Sequence, residues 1–122
     1  MSDAPFEVAR LDHVQLAMPA GLEDTAQAFY EGLLGLPRVP KPAPLAARGG
    51  CWFESANVKV HLGVEDDFRP ARKAHPALAV RGLSELIHRL EGNGVEVRVG
   101  DEPGQVYVDD PFGNRIELRS EA

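Results

Sequence analysis

Cysteine is almost absent from this chain. Cys51 stands alone, so no intramolecular disulfide and no paired-cysteine zinc or redox motif can form. Long apolar runs are missing too: none approaches the ~20 residues that a membrane span needs. Basic residues are the minority, with 13 Lys and Arg against 19 Asp and Glu and a formal net charge of −6. That balance excludes the broadly basic surface with which a general nucleic-acid binder displaces counterions. The opening residues Met1-Ser2-Asp3-Ala4-Pro5 carry an acid and no apolar stretch, unlike a secretory signal, so a cytoplasmic protein is expected. What is present is 122 residues, 43% apolar and 26% charged, the profile of one globular domain with a core of its own.

The apolar pattern changes period along the chain. Val8 to Met18 alternates, which predicts a strand with His13 and Gln15 on one face and Val14 and Leu16 on the other. Glu23-Asp24 then open a helix carrying Ala26, Phe29, Tyr30, Leu33 and Leu34, with Gly35 as its stop. The prolines between Pro37 and Pro44 argue against a helix and for a loop or edge strand. Cys51 to Glu54 and Val58 to Gly63 read as a hairpin, either Trp52 or Cys51 pointing inward according to register. Glu65 to Lys73 is a charged connection. The order then repeats: a strand from His75 to Arg81, a helix from Leu83 to Glu91, a short strand from Val95 to Val99, and a hairpin of Gln105–Asp109 and Asn114–Arg119.

Each half therefore reads strand, helix, strand, strand, strand. His13 matches His75 at an offset of 75 − 13 = 62, and Leu16, Ala17 and Met18 meet Leu78, Ala79 and Val80. The expected fold is α+β, two βαβββ modules in a pseudo-twofold arrangement that curves the sheets into a cup. Residues 1–122 form a single domain in this reading, with module one at about 6–64 and module two at about 74–120.

The histidines follow the repeat. His13 and His75 begin the matching first strands; His61 and Glu117 occupy the matching last strands, at an offset of 117 − 61 = 56. A twofold axis can bring these four side chains together, and a divalent metal is the economical reason for doing so. Imidazoles with one carboxylate suit Zn²⁺, Ni²⁺, Fe²⁺ or Mn²⁺.

At these residues the sequence resembles the vicinal oxygen chelate superfamily, which includes glyoxalase I, fosfomycin-resistance enzymes, extradiol dioxygenases and bleomycin-resistance proteins. His13-Val14-Gln15-Leu16, Phe29-Tyr30 with Leu34-Gly35-Leu36, the strand from His75 to Val80, and above all Asp110-Pro111-Phe112-Gly113-Asn114-Arg115-Ile116-Glu117 carry the likeness over nearly the whole chain. The resemblance implies a glyoxalase-like fold and one divalent metal ion held by His13, His61, His75 and Glu117. Glyoxalase I usually has glutamate where this chain has His61; fosfomycin enzymes and dioxygenases use only the other three positions. His61 is then either a ligand or a base.

The resemblance also implies catalytic roles for Glu117, His61 and Tyr107, whose hydroxyl would donate to an oxygen on the metal. Gln15, Trp52 and Arg72 are the candidate substrate contacts, although for Arg72 a solvated loop paired with Asp66 and Asp67 is the favoured reading. The expected activity is that of a metal-dependent lyase or isomerase that chelates a small oxygenated substrate and stabilises an enediolate-like oxyanion. The alternatives are a metal-free antibiotic- or metabolite-binding protein and an extradiol dioxygenase. A small-molecule substrate and a homodimer are the expected partners, with no nucleic acid and no membrane. Whether the site forms within one chain or across two is open at this stage.

Overall fold

The computed structural model describes residues 4–121. Its elements run β1 (Val14–Met18), α1 (Glu23–Tyr30), β2 (Arg38–Val39), α2 (Ala43–Ala46), β3 (Cys51–Glu54), β4 (Lys59–Val64), β5 (Ala77–Val80), α3 (Leu83–Gly92), β6 (Arg98–Val99), β7 (Gln105–Asp109) and β8 (Arg115–Ser120). They build two four-stranded sheets of the same order, β1-β4-β3-β2 and β5-β8-β7-β6. In each, the first strand is an edge and runs parallel to the last, while the remaining pairs are antiparallel. The two βαβββ modules and the glyoxalase-like fold are thus present as expected.

Strand register makes the internal repeat concrete. Gln15 pairs with His61 in the first sheet and Ala77 pairs with Glu117 in the second. On the neighbouring strands Trp52 pairs with His61, and Tyr107 with Glu117. The period of two then sorts each sheet into two faces. Leu16, Met18, Phe53, Val60 and Leu62 of the first sheet and Val106, Val108, Ile116 and Leu118 of the second are buried in one hydrophobic core, joined by Phe29 and Tyr30 of α1 and Leu90 of α3. The opposite faces carry the histidines, Trp52, Tyr107 and Glu117.

Several boundaries differ from the sequence pattern. The strand expected from Val8 begins at Val14, and Val8 and Leu11 are 92% and 81% exposed. Because β1 runs parallel to β4 in the register Val14↔Val60, residues before Val14 run past the start of β4, where the chain turns. The second module's first strand likewise starts at Ala77 rather than His75, just after Pro76, which has no N–H for a ladder. Prolines do not exclude a helix from 37–44 altogether: α2 opens there with Pro44 in its first turn, where a missing N–H costs nothing. Gly50 has φ +83°, and a Cβ there would lie 2.2 Å from the Leu62 carbonyl oxygen, so only glycine lets β3 start this close to β4.

One buried polar knot ties the modules together. The Tyr30 hydroxyl on α1 donates to Asp110 at 2.7 Å, and the other Asp110 oxygen accepts from the Phe112 and Asn114 amides. Asn114 Nδ2 donates to Asp110 and to the Ala17 carbonyl of β1, and Asn114 Oδ1 accepts from the Ala71 amide of the connecting loop. Gly113, at φ +92°, closes the turn. Asp110 and Asn114 are 4% and 1% exposed, so every one of these bonds replaces water that the groups have lost.

Removing the carboxylate should therefore cost more than removing one of its donors. Asp110→Ala leaves a buried phenol and two amides without an acceptor and should destabilise by about 3 kcal/mol or more, against about 1–2 kcal/mol for Tyr30→Phe. Urea unfolding of both variants checks the order; a larger loss from Tyr30→Phe would contradict it.

Candidate functional site

The polar face of the first sheet gathers around His61. This ring is 5% exposed and stacks on both Trp52, with centroids 4.0 Å apart and planes 5° apart, and His13, with centroids 4.4 Å apart. Its Nε2 lies 2.6 Å from Glu54 Oε2. His13 Nδ1 contacts Asp12 Oδ1 at 2.9 Å, and that hydrogen bond draws the Asp12 carboxyl below its ordinary value. Gln15 lies over Gly63, whose bare Cα leaves room for its amide. Of the two residues whose orientation the hairpin register decides, Trp52 faces this cluster. Cys51 is buried in the core, where loss of hydration pushes its thiol up to about 11.

The second sheet's polar face centres on Glu117. Its Oε1 lies 2.9 Å from His75 Nε2, while Oε2 accepts from Arg119 at 2.7 Å and Gln105 at 3.0 Å. Those bonds, led by Arg119 and His75, hold the Glu117 carboxyl down at about 2, so it is a carboxylate at neutral pH. His75 Nδ1 donates to the Lys73 carbonyl at 2.8 Å, which with Glu117 raises the imidazole above its ordinary value. Tyr107 sets its ring edge to His75, with centroids 5.5 Å apart, and its oxygen accepts from Gln105. Its own hydroxyl hydrogen is left to donate.

The expected site residues therefore fall into two groups. His13, Gln15, Trp52 and His61 share one sheet face; His75, Tyr107 and Glu117 share the other; Arg72 lies apart, in the loop before β5. The pairing suggested for Arg72 is not found: the loop ion pair is between Asp67 and Arg69, at 3.8 Å. His13 and His75 both line a cleft of about 1280 Å³ along the edges β1 and β5. Among the described residues no three His, Cys, Asp or Glu side chains come together to hold an ion.

Four partners in this site escape a search for ligands alone: Asp12, Glu54, Gln105 and Arg119. Gln105 and Arg119 stand two residues from Tyr107 and Glu117, and Glu54 two from Trp52, so strand periodicity places each on the correct face. Nothing local shows that Glu54 meets His61, because they lie on different strands.

No family model and no curated protein matches the chain. Solved structures do. A structure from Bacillus anthracis described as a glyoxalase family protein is similar at 43% identity, covering 98% of this chain and all of that one, with a TM-score of 0.91. A glyoxalase/dioxygenase from Nostoc punctiforme (20% identity, 100% of this chain and 97% of that one, TM-score 0.77) and the fosfomycin resistance protein FosX from Listeria monocytogenes (19%, 95% and 94%, TM-score 0.68) share the fold.

The titration of Glu117 and His75 sets a pH window for stability in metal-free protein. A lowered carboxyl contributes above its ordinary 4.5 and loses that contribution as pH falls through about 2. A raised imidazole contributes fully below its ordinary 6.5 and loses it as pH rises through the folded value. The urea midpoint of wild type should exceed that of Glu117→Gln most between about pH 4.5 and 6.5, and the gap should narrow on either side; a gap independent of pH would contradict this.

Proposed function

This chain belongs to the glyoxalase family of the vicinal oxygen chelate superfamily, and from that premise we propose that it is a metal-dependent enzyme of lyase or isomerase type acting on a small oxygenated molecule. The observation that carries the reading is how three donors are backed. His13 engages Asp12 through Nδ1, His75 engages the Lys73 carbonyl through Nδ1, and Glu117 engages Arg119 and Gln105 through Oε2. His13 Nε2 is left for a ligand, while His75 Nε2 and Glu117 Oε1 meet each other at 2.9 Å, a contact that a bound cation would replace; such backing is how proteins orient metal-binding imidazoles and carboxylates. The donor set fits a divalent cation such as Zn²⁺, Ni²⁺, Mn²⁺ or Fe²⁺. His61 is tied to Glu54 through Nε2 and stacked against both Trp52 and His13. It stands beside the donor set as a base rather than in it.

A cation bound there would polarise a substrate carbonyl and stabilise the negative charge that develops on its oxygen. The chain's own groups handle the proton. With Nε2–H donated to Glu54, His61 accepts a proton from the carbon next to the carbonyl at Nδ1, and the adjacent carboxylate stabilises the imidazolium. Glu117 engages His75 through one oxygen and Arg119 and Gln105 through the other, which suits it to hold a cation rather than to move a proton. Tyr107 donates its hydroxyl hydrogen toward a substrate oxygen, and Gln15 lines the cleft with His13 and His75.

His13 lies on the first sheet, whereas His75 and Glu117 lie on the second. In this proposal a second copy of the chain brings its first sheet against the second sheet of its partner, so that each centre draws on both chains and a twofold dimer holds two. The exposed apolar residues Phe6, Val8 and Leu11, which precede the β1 edge, suit such a contact.

Metal analysis of untagged protein tests both parts. His13→Ala, His75→Ala and Glu117→Ala should each lose the bound ion, while His61→Gln should keep it and lose about 10²–10⁴-fold in proton exchange at the substrate carbon. Full metal in the first three would sink the reading, and a metal-free binding protein would take its place. Unfolding and refolding His13→Ala together with His75→Ala in equal amounts should restore about a quarter of the wild-type metal, because only hybrid dimers rebuild a centre, and only one of their two. No recovery would place the donors within one chain.

A further inference from the structure

Beside the His75–Glu117 pair is a second, smaller recess of about 280 Å³, lined by Arg72, Arg98, Asp109, Gly113 and Arg115. Its charge is unbalanced. Arg98 is already neutralised, gripping Asp109 at 2.8 and 3.4 Å with Glu96 at 3.6 Å. Arg72 and Arg115 have no carboxylate partner among the described residues, in a chain whose net charge is −6. Acids outnumber bases, yet two guanidinium groups lining one recess go unpaired.

The Arg115 head group and the backbone beside Arg72 are held in place from behind. The Arg115 amide donates to the Ala71 carbonyl, and the Ala71 amide donates to the buried Asn114 side chain, so the loop carrying Arg72 is pinned to the start of β8. The Arg115 guanidinium sits over the Tyr107 ring, 5.2 Å from its centroid, a cation–π contact that fixes the head group while leaving its N–H donors free. The same Tyr107 ring meets His75. One tyrosine therefore separates the arginine recess from the proposed metal donors.

We propose that this recess holds an anionic oxygen group of the substrate, a carboxylate or a phosphate, between Arg72 and Arg115, so that the rest of the molecule extends along Tyr107 toward His75 and Glu117. The assignment of the reacting end rests on the function proposed above; the anion site itself does not. At about 280 Å³ the recess is just below the roughly 300–1,000 Å³ of pockets that enclose a whole small ligand, and it suits the charged end of one. Guanidinium forks bind planar carboxylates and phosphate oxygens in bidentate fashion, which gives orientation as well as attraction. An anchored end sets where the other end lies, and positioning of that kind contributes directly to rate.

The test uses inorganic phosphate and acetate as separate probes, titrated into full-length protein at constant ionic strength and followed by amide and arginine NMR signals. Saturable shifts at Arg72, Gly113 and Arg115 are expected, weakened at least tenfold in Arg72→Gln and in Arg115→Gln. The stronger probe identifies the group as phosphate or carboxylate. His75→Gln, which removes a proposed metal donor, should leave these shifts in place. That variant separates the two proposals: loss of metal with retained anion binding supports both, and retained metal refutes the donor assignment alone. Equal affinity in the wild type and both arginine variants overturns the anion site. So does binding lost in His75→Gln but kept in Arg115→Gln, which would put the anion on the metal. Absence of saturable binding of either probe overturns it as well.

Discussion

The side chain of Asp110 organises this molecule. Its two oxygens bind Tyr30 from the first module and the Asn114 amide and side chain from the second, while Asn114 reaches the β1 backbone and the connecting loop. Neither sheet has a second layer of its own beyond short helices, so each must bury its apolar face against shared material. The knot sets how the two share it. Burial also raises the Tyr30 hydroxyl well above its ordinary value, since its charged form would sit beside Asp110 without water. The phenol consequently stays a donor.

That arrangement has a functional consequence. Turning both apolar faces into one core turns the polar faces outward, each carrying half of the proposed donor set. The first sheet has His13 and the stacked His61–Trp52 pair; the second has His75, Tyr107 and Glu117. Each half is well prepared, with backing bonds that choose which atom is offered. Each is also incomplete alone, which is the physical ground for proposing a centre shared between chains. The recess of Arg72 and Arg115 extends the second half, sharing Tyr107 with it.

His61 and Glu117 illustrate how equivalent positions diverge. Register makes them counterparts, each facing an aromatic residue on the adjacent strand. Glu117 is surrounded by Arg119, Gln105 and His75, which favour its charged form and suit it to hold a cation. His61 is stacked between flat rings and tied to the Glu54 carboxylate. The difference comes from the neighbours rather than from the positions.

The sequence alone determined the repeat, the two polar strand faces and the chemical types standing on them, because period-two alternation and the 62-residue offset are properties of the chain order. The closing Asp110–Glu117 segment also carried the family likeness before any fold was known. Strand ends were legible only within a few residues, since Val14 starts β1 for a reason that lies in β4. Tertiary structure decided which atom of each proposed donor is backed by a neighbour, that Glu54 meets His61, and that Arg72 stands with Arg115 instead of Asp66 or Asp67. These facts depend on distances between strands and loops far apart in the chain, and no local pattern encodes them. It also decided that His13 and Glu117 belong to separate sheets, because β1 pairs with β4 whereas β8 pairs with β5 and β7.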